Sequence, residues 1–369
     1  MKRLGYLDSL RGIAAVYVLI YHAILVAQPQ LVVPQWYAPF FLAGGTGVML
    51  FFVVSAFSLC LTWPRHEKSG IPLSSYFISR FFRIAPLFYF MMIVTYIRDI
   101  FVYDAWHTPW QVFINLAFIF NFVPQQQEGF VWASWAIGVE FLFYVLFPLF
   151  YYAAATLWRR LMLVFVLGLV TVIYFSLLPY LHMDEQTRAG FTNFGLLRFL
   201  PVFGIGMVAF DVARRTHELP NARDIGGALV ALSILAYAAI IAGYLPAASN
   251  IYGQGICYAL LLVGLSLNPV GLYVNPLTRF YGRISYSVYL LHPPIVYALS
   301  PAYRWIYAAR IGKSDAVSFW LSIGLTLAIV TPLAMLTYRF IEAPGIELGK
   351  RLIKRAQAKR GIGVAPAAA

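Results

Sequence analysis

Asp8, Arg11, His22 and Glu140 are ionisable residues set in or beside otherwise apolar stretches. On a helix, Asp8 and Arg11 are three residues apart and therefore neighbours. Arg11 and His22 are eleven apart, close to three full turns and about 16 Å of rise, so they share a face. Ionisable groups inside a bilayer are costly, and such a face reads as functional by default. The plainer alternative is that Asp8 and Arg11 anchor a helix end while His22 packs as a satisfied core residue. Glu140 lies in Trp135-Ala-Ile-Gly-Val-Glu140-Phe-Leu-Phe143-Tyr144. If that segment enters from the opposite face, Glu140 lies about 10 Å deep and His22 about 18 Å deep, in a hydrocarbon core of about 30 Å. The two then reach similar depth, which makes a histidine–carboxylate pair geometrically feasible. Imidazole suits proton transfer near neutral pH, so such a pair would suit general-base chemistry.

Arg80 and Arg83, in Arg80-Phe-Phe-Arg83-Ile-Ala-Pro86, also share one face. Two guanidiniums near a helix start make an anion site or, alternatively, an anchor on lipid phosphates. Ser285, Tyr289 and His292 form another polar stripe, at i, i+4 and i+7. Pro293 and Pro294 follow, and a residue before proline is biased away from helix. Broken backbone at membrane depth must face protein or a cavity, so this stripe reads as cavity-lining. A packed kink with a hydrogen-bonded histidine is the alternative. Gly44-Gly45-Thr46-Gly47 reads as a close-packing surface and not a phosphate loop, because no P-loop lysine follows. His66, His107, His182 and His217 fall in loops or at span ends and read as solvated. No metal cluster is expected, and Ser55 and Ser285 lack a serine–histidine–acid pattern. Cys60 and Cys257 lie in apolar runs and support no disulfide framework.

The elements that must position these groups follow from composition. Of 369 residues, 61% are hydrophobic and 11% charged, with a mean hydropathy of +0.75. Soluble domains carry about 25% charged residues. The expected fold class is an all-α integral membrane protein. Apolar runs long enough to span, roughly 20 residues, fall at 9–28, 41–63, 84–103, 134–155, 161–179, 195–212, 225–243, 251–268, 282–300 and 317–340. An eleventh run, 111–123, is short and is expected to be re-entrant or interfacial. Loop charge sets orientation. Lys2 and Arg3 place the N-terminus in the cytoplasm. Ten spans then bring Arg65, Lys68, Arg159, Arg160, Arg214, Arg215, Arg223 and the basic tail inside, so both termini are cytoplasmic. Arg304, Arg310 and Lys313 are the exceptions. The net charge of +13 is read as topology and not as a nucleic-acid footprint. No internal repeat, cleavable signal peptide or soluble domain is expected. Residues 1–350 read as one transmembrane domain, and 351–369 as a basic, then Ala/Gly-rich, cytoplasmic tail.

Taken together, the chain resembles the acyltransferase 3 family of bacterial membrane acyltransferases, over about residues 5–350. The matching pieces are Leu7-Asp8-Ser9-Leu10-Arg11-Gly12 with His22, Gly47-Val-x-x-Phe51-Phe52-Val-x-Ser55, and Arg80-Phe-Phe-Arg83-Ile-x-Pro86. Further pieces are Trp135 through Glu140 to Tyr144, Ser285-Tyr286-x-x-Tyr289-Leu-x-His292, and Tyr338-Arg339-Phe-Ile-Glu342-x-Pro344. The chain departs from the family pattern at Met49, where an acidic residue is usual, and at Ala56, where glycine is usual.

The resemblance implies an O-acyltransferase of the bacterial cytoplasmic (inner) membrane. It would take an acyl group, commonly acetyl in such families, from cytoplasmic acyl-CoA to a hydroxyl of an extracytoplasmic glycan. Acyl-CoA is then a donor substrate, with no permanently bound cofactor and no metal. Under this reading Arg11, Arg80 and Arg83 hold the CoA phosphates. His22 acts as general base, Glu140 orients it or completes its proton path, and Asp8, Trp135, Ser285, Tyr289 and His292 line the cavity. An acyl-histidine intermediate stays open as a rival route. The competing class is a proton-coupled transporter or flippase using the same buried histidine and carboxylate. A non-catalytic partner of a glycan-assembly complex is a third.

Overall fold

The computed structural model describes residues 4–28, 30–246, 250–309 and 314–360. Of the sequence-derived topology signals, Lys2, Arg3, Arg310, Lys313 and residues 361–369 lie outside them. Every regular element among the described residues is helical. The first half contains α1 (Gly5–Val26), α2 (Ala38–Leu42), α3 (Gly47–Glu67), α4 (Pro72–Tyr103), α5 (Pro109–Leu116), α6 (Trp135–Ala153) and α7 (Leu157–Leu177). The second contains α8 (Glu185–Phe194), α9 (Leu196–Thr216), α10 (Ala222–Ile241), α11 (Ile251–Leu267), α12 (Pro276–Arg283), α13 (Ser285–Ala298), α14 (Ser300–Ala308), α15 (Asp315–Thr337) and α16 (Ala343–Lys359). A π-helical turn, Tyr338–Glu342, joins the last two.

Eight helical stretches among the described residues are long and apolar enough to cross a membrane. The chain is a multi-pass membrane protein. Two of the ten expected spans take another form. Residues 251–268 become the 17-residue α11. Residues 282–300 are divided among α12, α13 and α14. The break lies at Ile284, with φ −103° and ψ 9°, and not at the prolines. Pro293 and Pro294 sit inside α13. The short run 111–123 forms the eight-residue α5 and a 3₁₀ turn, Phe120–Phe122. At 1.5 Å per residue, α5 is only about 12 Å long and cannot cross. The expected boundary at residue 350 falls inside α16, and Gln357 donates to the Ser69 carbonyl at 3.0 Å.

Helix α1 is the central post. Its 22 residues include 13 that are buried, Asp8 and Ser9 among them. It packs against α3, α12 and α13, and residues small enough for close approach make this possible. A Cβ at Gly12 would strike the Thr278 carbonyl, and one at Gly282 would strike the Asp8 carbonyl. A Cβ on Gly47 would lie 2.9 Å from the Ala14 carbonyl oxygen, so the glycines opening α3 are a packing surface.

Several expected surface groups are built into the bundle. Arg160 is 3% exposed, pairs with Asp211 at 3.2 Å and donates to the Ala154 and Met207 carbonyls. His107 bonds Asp99 at 2.8 Å and stacks on Phe130. His66 bonds Ser75 at 2.9 Å. These two histidines are half-buried, because polar partners offset their loss of water; His182 and His217 are exposed.

Candidate active site

Asp8 and Arg11 of α1 converge with ionisable residues of α3, α4 and α6 on one cavity of about 350 Å³. Asp8, Arg11, Arg65, Arg80, Arg83, Glu140, Ser285 and Tyr289 all contribute to its wall. Four arginines against two carboxylates make its mouth a strong anion attractor. A second, larger cavity of about 470 Å³ lies on the other side of α1, and its wall carries no charged residue.

The arginines are held differently. Arg11 donates to Ser58 Oγ at 2.9 Å and lies 4.0 Å from Asp8. Arg83 pairs with Glu342, whose side chain is fully buried. The π turn adds a residue to the helical repeat, and Glu342 is the last residue of that turn. Ser287 Oγ donates to the second Glu342 oxygen at 3.0 Å. The charge of Arg83 is therefore largely balanced from within the protein. Arg80 lies between the rings of Tyr76 and Tyr144, its guanidinium carbon 6.0 and 5.8 Å from their centroids. Its Nε is buried with no hydrogen-bond partner among the described residues.

Glu140 sits deeper, one and a half turns into α6. Ser55 Oγ donates to its Oε1 at 2.5 Å and Tyr144 Oη donates to the same atom at 2.6 Å. Those donors, and not His22, hold the carboxylate.

His22 instead meets His292: His22 Nδ1 is 2.7 Å from His292 Nε2, and the rings stack at 4.9 Å between centroids. His292 is fully buried and its Nδ1 is 3.1 Å from the Val288 carbonyl oxygen. Neither histidine is part of the cavity wall. The Tyr289 ring is part of the cavity wall, packs 5.7 Å from the His292 ring, and donates its hydroxyl to the Ala133 carbonyl at 3.0 Å.

The structure thus gathers Asp8, Arg11, Arg80, Arg83, Glu140, Ser285 and Tyr289 around one space, and His22 with His292 behind Tyr289. Two expected cavity residues lie elsewhere. His292 turns toward His22 and its own helix backbone. Trp135 packs its ring on Phe52, Phe194 and Phe199. Sequence reasoning missed Arg65, Tyr144 and the pairing of Glu342. Glu342 and Tyr144 stood in quoted motifs without a role, and Arg65 was counted only as a loop charge. Of the two family departures, Met49 is a buried core residue, and Ala56 packs where a Cβ on Gly206 would lie 2.9 Å away.

The multi-helix membrane bundle thus carries an arginine-lined cavity, a carboxylate held by two hydroxyls, and a hydrogen-bonded histidine pair. The chain matches the profile of the acyltransferase 3 family, an acyltransferase domain, over residues 4–339, and it belongs to that family. It is 23% identical to the peptidoglycan O-acetyltransferase OatA of Listeria monocytogenes, over 93% of this chain and 56% of that protein. It is also 23% identical to a Staphylococcus aureus protein named as a candidate O-acetyltransferase, over 93% of this chain and 57% of that one. A candidate acetyltransferase of Acidianus two-tailed virus is 23% identical over 77% of this chain and 81% of its own length. The chain spans a little over half the length of the two bacterial relatives. No solved structure matches it.

Proposed function

We propose that this protein transfers an acetyl group from cytoplasmic acyl-CoA to a hydroxyl of an extracytoplasmic glycan. The observation that carries the reading is the cavity itself. Four arginines line a pocket whose wall also holds Glu140 and Tyr289, and among the described residues the buried Arg80 Nε has no acceptor. Phosphate oxygens are the natural acceptors for guanidinium donors, which grip them bidentately. The donor's phosphates would lie against Arg80, Arg65 and Arg11, on the side where α1 begins and α3 ends. The pantetheine arm would extend inward past Glu140 toward Tyr289, and displacement of the Tyr289 ring would open the way to His22. There, His22 would take the proton of the acceptor hydroxyl as its oxygen attacks the thioester carbonyl. Glu140, held by Ser55 and Tyr144, would orient the thioester arm and the groups around it. The relatives' names support acetyl as the group transferred and a glycan as the acceptor class.

Two measurements test this. Acetyl-CoA should raise the melting temperature of the detergent-solubilised protein in a concentration-dependent way, because a ligand of the folded state stabilises it. Mass spectrometry of surface glycans should show an acetyl increment in wild-type cells that is missing from a deletion strain. No thermal protection together with unchanged glycans would overturn the reading.

A further inference from the structure

We propose that His292 is a positioning residue that fixes the tautomer of His22, making Nε2 the nitrogen of His22 that exchanges protons with the reacting groups. This rests on the acyl-transfer reading above for its chemistry, but the geometry stands independently. His292 Nδ1 faces the Val288 carbonyl at 3.1 Å. A carbonyl oxygen only accepts, so Nδ1 carries the hydrogen. His292 is fully buried, and among the described residues no carboxylate hydrogen-bonds to it. An uncompensated charge there would be expensive, so the ring is neutral and its Nε2 bears a lone pair. His22 Nδ1 lies 2.7 Å from that lone pair and must be the donor. His22 is left with an unprotonated Nε2.

The ring planes agree with the assignment. The two rings are 4.9 Å apart at 26°, so the hydrogen bond and the ring planes are fixed together. In hydrolase triads a carboxylate commonly holds the base in its working tautomer. Here a second imidazole does so without placing a negative charge at membrane depth. Glu140, the carboxylate that could have taken the role, is occupied by Ser55 and Tyr144.

The proton path then balances. As the acceptor oxygen bonds to the thioester carbonyl carbon, its proton moves to His22 Nε2. As the carbon–sulfur bond breaks, the same proton moves from Nε2 to the departing thiolate. An alcohol and a thioester become an ester and a thiol. The Nδ1–H of His22 stays on His22, donated to His292 Nε2, throughout.

The full-length protein, labelled with ¹⁵N-histidine and reconstituted in lipid bilayers, tests this by solid-state NMR. Resonances are assigned by their loss in His22→Gln and His292→Gln. The expected result is a protonated Nδ1 and an unprotonated Nε2 on His22. In His292→Leu, whose side chain cannot accept, His22 should lose that single tautomer. His292→Gln offers Oε1 as an acceptor and should retain it. A His22 that carries its proton on Nε2 in the wild type overturns the proposal. A second arm follows release of CoA thiol from acetyl-CoA with a soluble chito-oligosaccharide as acceptor. His292→Leu should lower kcat by about 100-fold with KM for acetyl-CoA unchanged, and His292→Gln should stay within about tenfold of wild type. A lost tautomer with an unchanged kcat also overturns it. If the wild type itself releases no thiol above a protein-free background, the transferase reading fails while the NMR result still judges the pairing.

Discussion

At the scale of single residues, the arginines that share the cavity should not behave alike. Arg83 is paired with the buried Glu342, whereas Arg80 rests on two tyrosine rings with an Nε that has no hydrogen-bond partner among the described residues. A charge-assisted hydrogen bond is worth about 1.5–3 kcal/mol. Arg80→Ala should therefore weaken CoA binding by roughly 10- to 100-fold in calorimetric titration and leave the melting temperature little changed. Arg83→Ala should do the reverse, because it strands the Glu342 carboxylate in the interior. Breaking a buried pair costs about 3–5 kcal/mol; with Arg83 28% exposed, a loss of about 2 kcal/mol is expected by denaturant unfolding. Equal effects of the two substitutions on CoA binding would refute the distinction. The same logic bears on Glu140. Tyr144→Phe removes one of two donors to Oε1 and should reduce acyl transfer, with kcat falling more than KM rises. These differences were only partly legible in the sequence. Asp8, Arg11, Arg80, Arg83 and Glu140 announce themselves because charge is costly in an apolar run. Their partners do not. Glu342 is 259 positions from Arg83, and His292 is 270 from His22. Spacing on one helix predicts which residues share a face and says nothing about which helix that face meets. For that reason His22 and Glu140, matched by depth, proved to have different partners.

At the scale of elements, the position of α1 depends on two glycines. Gly12 and Gly282 bring α1 and α12 into backbone contact, and a Cβ on either would overlap the other helix's backbone. Gly12→Ala or Gly282→Ala should cost about 2 kcal/mol or more, as overpacking does in a close-packed interior. The expected readout is a lower melting temperature in detergent. Because Asp8 and Arg11 flank Gly12, CoA affinity should fall as well. Normal stability in Gly282→Ala would show that α12 can move away at little cost, contrary to the packing described here. Long apolar helices such as α7 and α9 were legible from hydropathy alone, since one uninterrupted run suffices to define each. The region 276–308 was not. Its prolines suggested a break after His292, yet α13 runs through both, and the chain breaks at Ile284 instead. Tertiary demands explain this: Gly282 must approach Asp8, while Tyr289 and His292 must face the bundle interior on a separate helix segment. The π turn at Tyr338–Glu342 is equally invisible in a hydrophobic pattern, because it shifts register by one residue and its last residue, Glu342, meets Arg83 on a helix distant in sequence.

At the scale of the whole molecule, the open question is which side of the membrane the cavity serves. Its arginines come from the start of α1, the end of α3 and the first half of α4, on one side of the bundle, and Val48, Ala136 and Glu140 extend the wall away from that side. The proposed function takes that side as cytoplasmic, which accords with the basic residues on it: Arg65 in the last turn of α3, Lys68 just after it, and Lys350, Arg351, Lys354 and Arg355 along α16. A thiol placed on the cavity wall reports the side directly. Thr62 is a partly exposed wall residue, and cysteine is close to it in size. The two native cysteines, Cys60 and Cys257, are both buried, so background labelling should be low. Thr62→Cys should react with a membrane-impermeant maleimide in inside-out vesicles and not in intact spheroplasts. Acetyl-CoA should slow that reaction if the donor occupies the same space, and the protection should weaken as salt rises, because an arginine-lined site attracts its ligand through screened charge. Labelling from the outer face would place the arginines on the wrong side for a cytoplasmic donor. Inside labelling without protection would leave the orientation intact and move the donor to another part of the protein. Only the combination of inside labelling and salt-sensitive protection joins the cavity, the membrane and the thioester into one pathway that ends at His22.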